Sequence, residues 1–331
     1  MVLMSTNVEM LSKRKTSKTC FSIPRVMLPL KGQMSFFYLD TNRHAEDRVA
    51  QANYNKGFAS RKLLLNGANG VVNAEIPLNR YGFFKSLYSG LLPNSRIELN
   101  LTLESDANLI WQAADNCRVV LTKFQLIVPR IVFNADGKSL YMSKYLDTRK
   151  WTYLKEMVER GNSTRQQTAN FRISTGINKP RHVFVFIIND ASDESQTANK
   201  FLYNTFSVAN NRTMTSCHLE AGNGIDYPEV HYKPSTEPSR VFRDVLKYVQ
   251  GINDFSDDTL LNRGNFGSIF PFVYFDLTKQ KQDIRDGMTK LTFKYTLSNG
   301  TNADYSVYAL VLYEQDVEMR KTDGKLILRS M

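Results

Sequence analysis

The amino-acid sequence predicts an all-β fold of antiparallel strands packed as a sandwich, and three observations support this. Apolar and polar residues alternate with a period of two in several segments, which is typical of strands with one face in water. Aromatic residues favour sheets, and the 331 residues include 20 Phe and 16 Tyr. Helical periodicity is confined to short segments, without the strand–helix alternation that indicates a parallel sheet.

Alternation is clearest in Arg96–Glu104 and Thr289–Leu297, where four apolar side chains share one face of each segment. Three other segments are almost continuously apolar, which indicates strands that are covered on both faces. These segments are His182–Ile188, Ile269–Leu277 and Tyr305–Tyr313. Val119–Val132 is a further predicted strand, with a bend or an edge position at Pro129, because proline cannot donate a ladder hydrogen bond.

Several shorter segments are weaker strand candidates. They are Phe36–Leu39, Arg61–Leu65, Val71–Ile76, Phe171–Thr175, Thr213–Leu219 and Leu326–Arg329. Long polar connections are expected at Asp190–Asn199, Ala221–Pro238 and Thr278–Asp286.

Helices are expected to be few. Ser239–Gln250 has one apolar stripe of helical period and lies between Pro238 and Gly251, which are typical start and stop residues. Tyr81–Tyr88 and Ser139–Tyr145 each suit a turn or two of helix.

Sequence motifs for catalysis are absent. Asp136–Ser139 resembles part of a phosphate loop, but Val132 stands where that motif needs glycine, so Asn134–Gly137 is predicted to be a tight turn. Cys217 and His218 are neighbours in a predicted strand, so they point to opposite faces and cannot pair. The four histidines fit no metal-ligand spacing; they are His44, His182, His218 and His231. We therefore nominate no catalytic, cofactor-binding or metal-binding residue, and we expect no cofactor and no enzymatic activity.

The positive charge is concentrated near the N-terminus. The chain has a formal net charge of +11, and residues 1–35 contribute +5 of it through six basic residues and one acid. The basic residues are Lys13, Arg14, Lys15, Lys18, Arg25 and Lys31. This composition predicts a flexible arm, which either contacts nucleic-acid phosphates non-specifically or is a solvated tail without a partner.

The remaining composition limits the cellular setting. The longest apolar runs have seven residues, whereas a transmembrane helix needs about 20, so no membrane span is expected. Residues 1–10 lack the apolar core of a secretory signal. Three widely spaced cysteines, Cys20, Cys117 and Cys217, form no disulfide framework and fit a reducing compartment.

Several segments, in this order along the chain, resemble the major capsid proteins of polinton-like and adintovirus-like elements, which are often found integrated in invertebrate genomes. The segments are Tyr54–Lys62, Ile76–Tyr81, Leu91–Pro93, Arg96–Glu104, Lys179–Phe186 and Phe270–Leu277. They are strand patterns and not catalytic signatures, and the resemblance extends over roughly residues 36–328.

The resemblance implies a double jelly roll, in which two eight-stranded sandwiches stand side by side and three chains form a pseudo-hexagonal capsomer. Residues 1–35 are then the basic arm, 36–115 a first jelly roll and 116–331 a second one that includes a helix-bearing loop at 220–265. Because few residues precede 116, we expect the first jelly roll to be incomplete.

The function that this resemblance implies is structural. We expect a hexon-like major capsid subunit of an icosahedral DNA virus, which forms homotrimers and a capsid lattice with a vertex protein. Its place would be the virion, after synthesis in the cytoplasm or nucleus of a host cell. Two alternatives stay open, namely a single jelly-roll vertex (penton-like) protein and a non-viral β-sandwich module that binds glycans or proteins. A jelly-roll enzyme such as a cupin is disfavoured, because the isolated His182, His218 and His231 supply a metal set poorly.

Overall fold

The computed structural model has an all-β architecture of antiparallel strands with three short helices, which confirms the predicted fold class. It describes residues 5–7, 82–87, 100–102, 120, 123–127, 132–144, 148–162, 164–189, 205–208, 212–222, 224–252, 266–267, 271–279, 288–299, 304–322 and 325–330.

The elements are numbered in chain order. The strands are β1 (Ser5–Asn7), β2 (Asn100–Thr102), β3 (Thr148–Arg160), β4 (Thr168–Asn178), β5 (Pro180–Asn189), β6 (Ser207–Val208), β7 (Arg212–Ala221), β8 (Ile225–Tyr232), β9 (Val273–Asp276), β10 (Met288–Leu297), β11 (Tyr305–Thr322) and β12 (Lys325–Ser330). The helices are α1 (Gly82–Leu87), α2 (Ala135–Lys144) and α3 (Pro238–Ile252).

Two five-stranded sheets make up the body of the molecule. In sheet I, β3 and β5 flank β11, β9 pairs with the other edge of β5, and β12 continues the β5 side of β11. In sheet II, the order is β4–β10–β7–β8, and β6 pairs with the start of β7.

The strand pairing is nested. Of the eight strands β3, β4, β5, β7, β8, β9, β10 and β11, the first pairs with the last and the second with the seventh. The third pairs with the sixth, and the fourth pairs with the fifth. This is the order produced when one long antiparallel hairpin is rolled into two facing sheets. Residues 148–322 therefore form a jelly roll.

The core lies between the two sheets. Strand β10 buries Leu291, Phe293, Tyr295 and Leu297 and leaves the residues between them partly exposed, so the predicted alternation in Thr289–Leu297 is confirmed. The ring of Phe293 lies 6.1 Å from that of Phe275 in sheet I. Aromatic contact across the sheets thus fills the interior.

Sheet I is also covered on its outer face. Helix α3 buries Val241, Phe242, Val245 and Tyr248, and the ring of Tyr248 lies 4.9 Å from that of Phe184 in β5. This second layer explains why β5 and the first half of β11 are almost continuously apolar, as predicted. The described residues of the predicted Ile269–Leu277 segment are buried except for Asp276, and only Val273–Asp276 forms a strand.

The helix predictions agree with the structure within a few residues. Helix α3 continues through Gly251 to Ile252, while α1 and α2 fall on Tyr81–Tyr88 and Ser139–Tyr145. Helix α1 packs on β3 so closely that a Cβ atom at Gly82 would overlap the carbonyl oxygen of Leu154. None of the described helices combines the length and the apolar character needed to cross a membrane.

Two local predictions for the region before β3 are wrong. Within the predicted strand Val119–Val132, the described residues are irregular and exposed, because no described strand offers them a hydrogen-bonding partner. The predicted tight turn at Asn134–Gly137 is the start of α2, whose N-cap is Asn134: its Oδ1 accepts a 2.8 Å bond from the amide of Gly137. A type I turn and a first helical turn share backbone angles, so only the residues that follow distinguish them.

The remaining strand predictions divide into three groups. Phe171–Thr175, Thr213–Leu219 and Leu326–Arg329 lie in β4, β7 and β12, as predicted. Phe36–Leu39, Arg61–Leu65 and Val71–Ile76 fall outside the described residues. Of Arg96–Glu104, only Asn100–Thr102 is described, and it pairs with Ser5–Asn7 of the basic arm. The polar connection predicted at Ala221–Pro238 is wrong, because β8 lies within it.

Candidate functional site

A cluster of polar side chains lies on the outer face of sheet II, where β7 and β8 pair. In β7, Cys217 and Leu219 point into the core, so His218 and Glu220 point outward. The predicted separation of Cys217 from His218 is therefore correct. Burial raises the pKa of the Cys217 thiol far above its usual range, so this cysteine is not a nucleophile at neutral pH.

A bulge in β8 builds the other half of the cluster. Tyr227 pairs with Leu219, and Tyr232 pairs with Cys217. Between these two pairs, β8 therefore advances by five residues while β7 advances by two. The extra residues let Asp226 and His231 become neighbours on the outer face, although they are five positions apart. Bulges of this kind re-aim side chains, and here the bulge turns His231 toward His218.

Arg240 of α3 fixes the bulge from one side. Its guanidinium donates hydrogen bonds to the carbonyl oxygens of Val230 at 2.7 Å and of His231 at 3.3 Å. It also lies 5.2 Å from the centre of the Tyr232 ring. Tyr232 in turn donates a 2.7 Å hydrogen bond to Asp244 of the same helix. The backbone that carries His231 is thus tied to α3 at several points.

The two imidazoles meet the same carboxylate. His218 Nε2 lies 3.5 Å from Asp226 Oδ1, and His231 Nε2 lies 3.2 Å from Asp226 Oδ2. The two rings are stacked, with centroids 3.8 Å apart and planes inclined by 13°. The side chains are 14% (His218), 37% (Asp226) and 39% (His231) exposed, so solvent reaches the cluster.

Charged neighbours surround His218. Lys294 of β10 is its partner in the strand register and forms an ion pair with Glu220. Partial burial lowers the pKa of His218, the nearby His231 lowers it further, and Asp226 opposes both. The lowered pKa favours the neutral imidazole of His218, whose lone pair can accept a proton or bind a metal ion.

This arrangement can do two kinds of chemistry. Two imidazole nitrogens and a carboxylate, with ligand atoms all within 4.8 Å of one another, can hold a metal ion. The same groups can pass a proton between the two histidines through Asp226. Either chemistry would take place on the outer surface of the sandwich and not in its interior.

The sequence analysis did not nominate these three residues together. His218 and His231 are 13 positions apart in the chain, Asp226 lies in a segment predicted to be a loop, and no ligand spacing links them. Their proximity depends on strand pairing and on a bulge of irregular length. The sequence could have indicated the cluster only if β8 had been predicted as a strand. Its alternation is too weak for that, because Pro228 and Glu229 interrupt it.

His182 has a different environment, so the three described histidines do not form one site. It lies in β5 beneath α3, with its ring 4.8 Å from that of Tyr248 and its Nδ1 2.8 Å from the Tyr274 hydroxyl. Burial lowers its pKa to about 4, against a smaller raising effect of Asp276. His182 is thus a neutral core residue. His44 falls outside the described residues.

The interior of the jelly roll holds no comparable cluster among the described residues. Many of the inward-facing side chains are apolar and almost fully buried; they include Val183, Val185, Leu219, Phe275, Leu291 and Phe293. Tyr295 is also buried, and its hydroxyl donates a 3.1 Å hydrogen bond to that of Tyr305. The described interior is thus filled mainly by apolar and aromatic side chains.

Comparisons with known proteins give matches only among solved structures. No family model matches the chain, and no curated protein matches it. The cryo-EM structure of the Sputnik virophage is similar with a TM-score of 0.31 and 12% identity, over 56% of this chain and 39% of that one. A quasi-atomic model of the PBCV-1 virus capsid is similar with a TM-score of 0.32 and 11% identity, over 57% and 54%.

A third similar structure is the mavirus major capsid protein, with a TM-score of 0.31 and 10% identity over 55% of this chain and 41% of that one. The alignments thus span between 39% and 54% of the solved chains. These values describe distant resemblance over part of each chain.

Proposed function

We propose that this chain is a structural subunit of a viral capsid, of the major capsid protein class. The observation that carries the proposal is the nested pairing of β3 with β11, β4 with β10, β5 with β9 and β7 with β8. That pairing defines a jelly roll, and jelly rolls occur in viral capsids, lectins and cupins. The residues that resemble polinton-like and adintovirus-like capsid proteins favour the first of these classes.

The packed interior supports a structural role over an enzymatic one. A cupin-type enzyme or a lectin-type binder needs polar groups that converge on a ligand. Between the two sheets, the described residues bring together apolar side chains such as Phe275 and Phe293. A capsid subunit needs only a stiff body and complementary surfaces, because assembly depends on buried area and shape.

An exposed apolar segment precedes the jelly roll and supplies a surface for self-association. Val120, Ile127 and Val132 are 73%, 80% and 80% exposed. Clusters of exposed apolar side chains mark surfaces that another chain or segment covers. In our proposal, a second copy covers this segment in a homotrimer, which then enters a lattice with a vertex protein in the virion.

Two finer parts of the proposal concern segments that the structure describes only in part, since residues 1–35 are described only at β1. Residues 36–115 would form the first of two jelly rolls, of which the structure describes only α1 and β2. The basic arm, residues 1–35, would face the capsid interior and contact DNA phosphates non-specifically. The assignment to polinton-like or adintovirus-like elements rests on the sequence resemblance.

The test of self-association is the oligomeric state of the full chain. We expect light scattering after size exclusion to give a trimer, and negative-stain electron microscopy to reveal capsomers or particles. Val132→Asp should shift the chain toward monomer, while Val230→Asp, an equally apolar and exposed position on β8, should leave the trimer intact. A folded chain that stays monomeric at high concentration would contradict the proposal, and glycan binding by that monomer would favour a recognition module.

The test of the basic arm is its removal. A chain without residues 1–35 should retain less nucleic acid during purification, and retention by the full chain should fall steeply with salt, because phosphate contacts release counterions. Equal nucleic-acid retention by the two chains at the same salt concentration would contradict a DNA-facing arm. The oligomeric state of the shortened chain serves as the control for folding.

A further inference from the structure

We propose that His218, Asp226 and His231 form a binding site for a divalent transition metal ion, namely Zn²⁺. The site lies on the outer face of sheet II, at the junction of β7 and β8. It is independent of the capsid role, because the three side chains belong to a single chain.

The donor set determines the kind of ion. Imidazole nitrogens suit zinc and the other late first-row metals, whereas Mg²⁺ and Ca²⁺ prefer sites made of oxygen atoms. Two histidines and one carboxylate are a known protein ligand set for zinc. A site of this composition should therefore discriminate strongly against Mg²⁺.

The distances are those that a shared ion requires. Two ligand atoms, each about 2.0–2.1 Å from a tetrahedral zinc ion, lie about 3.3 Å apart. The two observed nitrogen–oxygen distances are 3.5 Å for His218 and 3.2 Å for His231. Each imidazole nitrogen therefore lies about that far from one oxygen of Asp226, and one ligand atom from each of the three residues lies within 4.8 Å of the others.

The local charge also favours a cation. With neutral imidazoles, as ligation requires, Asp226 and Glu220 contribute two negative charges and Lys294 contributes one positive charge. Lys294 forms an ion pair with Glu220, whereas the carboxylate of Asp226 contacts the two histidines. The cluster therefore has a net negative charge, which attracts a divalent cation.

The ligands are held in place before an ion arrives. His218 lies in β7, between β10 and β8, and His231 lies on backbone whose carbonyl oxygen accepts a hydrogen bond from Arg240. Such preorganisation reduces the entropic cost of binding. Three protein ligands leave a fourth coordination position, and the partial exposure of Asp226 and His231 lets a water molecule fill it.

Calorimetric titration of the full chain with ZnCl₂, after treatment with a chelator and dialysis, tests the site. We expect one equivalent of Zn²⁺ to bind per chain and MgCl₂ to give no binding under the same conditions. His218→Gln and His231→Gln should each weaken Zn²⁺ binding by more than about 100-fold, since even supporting residues around a metal cost 10–100-fold. His182→Gln is the control, because His182 lies in β5 against Tyr248 and Tyr274, and this variant should bind Zn²⁺ like the unmodified chain.

Co²⁺ provides a second readout that does not depend on stability. Its visible absorption should indicate nitrogen and oxygen ligands in a four-coordinate site, and Asp226→Asn should change that spectrum. Circular dichroism of each variant checks folding, which the half-exposed position of the side chains should preserve.

Three results would overturn the proposal. The first is the absence of stoichiometric Zn²⁺ binding by the unmodified chain. The second is unchanged binding by a folded variant that carries both His218→Gln and His231→Gln. The third is loss of binding in Cys20→Ser with Cys117→Ser, which would place the ion on the cysteines. None of these results bears on trimer formation, so this site and the proposed capsid role can fail separately.

Discussion

The outer faces of the two sheets differ in what covers them. On sheet I, α3 lies over β5 and β9, and the rings of Phe184, Tyr248 and Tyr274 pack against one another. On sheet II, the described outer face carries half-buried polar side chains such as His218 and Lys294. One fold therefore holds strands β5 and β9, which are covered on both faces, and a second sheet that keeps one face for polar chemistry.

This difference explains two sequence patterns at once. Strands β5, β9 and the first half of β11 are nearly continuous apolar runs because both of their faces are packed, whereas β10 of sheet II alternates because only one face is. It also explains why the candidate metal ligands lie on sheet II. A titratable group on the outer face of sheet I, such as His182, is enclosed by aromatic rings and cannot reach an ion in solvent.

The largest expected effect comes from the aromatic layer of sheet I. Phe184 is 2% exposed, and Phe184→Ala removes a large side chain between Tyr248 and Tyr274. We expect the free energy of unfolding to fall by about 3–5 kcal/mol, as for other buried Phe to Ala changes. Chemical denaturation followed by near-ultraviolet circular dichroism measures it.

The matched control is Thr292→Ala on the outer face of β10, where the side chain is only partly buried. We expect a change within about 0.5 kcal/mol, because surface substitutions usually fall in that range. Equal losses from Phe184→Ala and Thr292→Ala would mean that the two outer faces are not covered differently.

The next effect concerns pH and His182. Its pKa is lowered to about 4 by burial, with Arg181 lowering and Asp276 raising it, while the unfolded chain has an ordinary histidine pKa near 6.5. Between these values the unfolded state binds more protons, so stability is complete above about pH 6.5 and is lost as the pH falls toward 4. The loss is roughly 3 kcal/mol.

The variant His182→Gln tests this, because glutamine does not titrate and keeps a group that can bond the Tyr274 hydroxyl. We expect the variant to lack most of the stability change between pH 6.5 and 4. A variant whose acid sensitivity in this window matches that of the unmodified chain would show that His182 is not the group responsible.

The sheets were predictable to different extents for physical reasons. The apolar runs in β5, β9 and β11 indicated strands because burial on both faces leaves a strong local pattern. The full length of β3 is not indicated by its alternation, since basic and acidic residues such as Lys150 and Glu156 interrupt it, and its register with β11 is a long-range property.

The candidate site was less predictable than the fold. The sequence gives His218 and His231 no common ligand spacing, because nothing local indicates that a bulge in β8 brings them together. Strand pairing closes the distance between Asp226 and His218, and a hydrogen bond from Arg240 to its carbonyl oxygen holds His231. Information of that kind lies in tertiary contacts and not in residue spacing.

Replacing Arg240 should have a smaller effect, which tests whether this residue positions His231 in the candidate site on sheet II. Arg240→Met keeps an unbranched side chain but removes the guanidinium that lies over the Tyr232 ring and donates to the carbonyl oxygens of Val230 and His231. We expect about a tenfold loss of Zn²⁺ affinity, in the lower part of the range for supporting residues. The free energy of unfolding should fall by about 1–2 kcal/mol.

Calorimetry with Zn²⁺ and denaturation separate the two consequences. Arg243→Met, on the same helix but with an exposed side chain, is the control and should alter neither quantity. Arg240→Met with normal Zn²⁺ affinity and reduced stability would mean that Arg240 supports α3 alone and does not position His231.

The smallest effect lies at the junction between the sheets. Lys179 alone separates β4 of sheet II from β5 of sheet I, with a φ of +50°, and its Nζ lies 2.5 Å from Asp316 Oδ2. The hydrogen bond from Lys179 lowers the pKa of Asp316, and one from Thr152 lowers it further. As the pH falls, Asp316 therefore takes up a proton in the unfolded chain before it does so in the folded chain. The stabilisation is present above about pH 4, the ordinary pKa of an aspartate, and is lost as the pH falls through the lowered pKa of Asp316 in the folded chain.

Asp316→Asn should remove this acid-dependent contribution, which we expect to be under about 1 kcal/mol because both side chains are partly in solvent. Asp304→Asn is the matched control, since Asp304 forms an ion pair with Arg165 that is more exposed than the Lys179–Asp316 pair. Solvent screens the Arg165 pair more strongly, so its loss should change the acid unfolding profile less. If the two variants shift the acid unfolding profile equally, the Lys179–Asp316 ion pair is no more stabilising than the exposed Arg165–Asp304 pair.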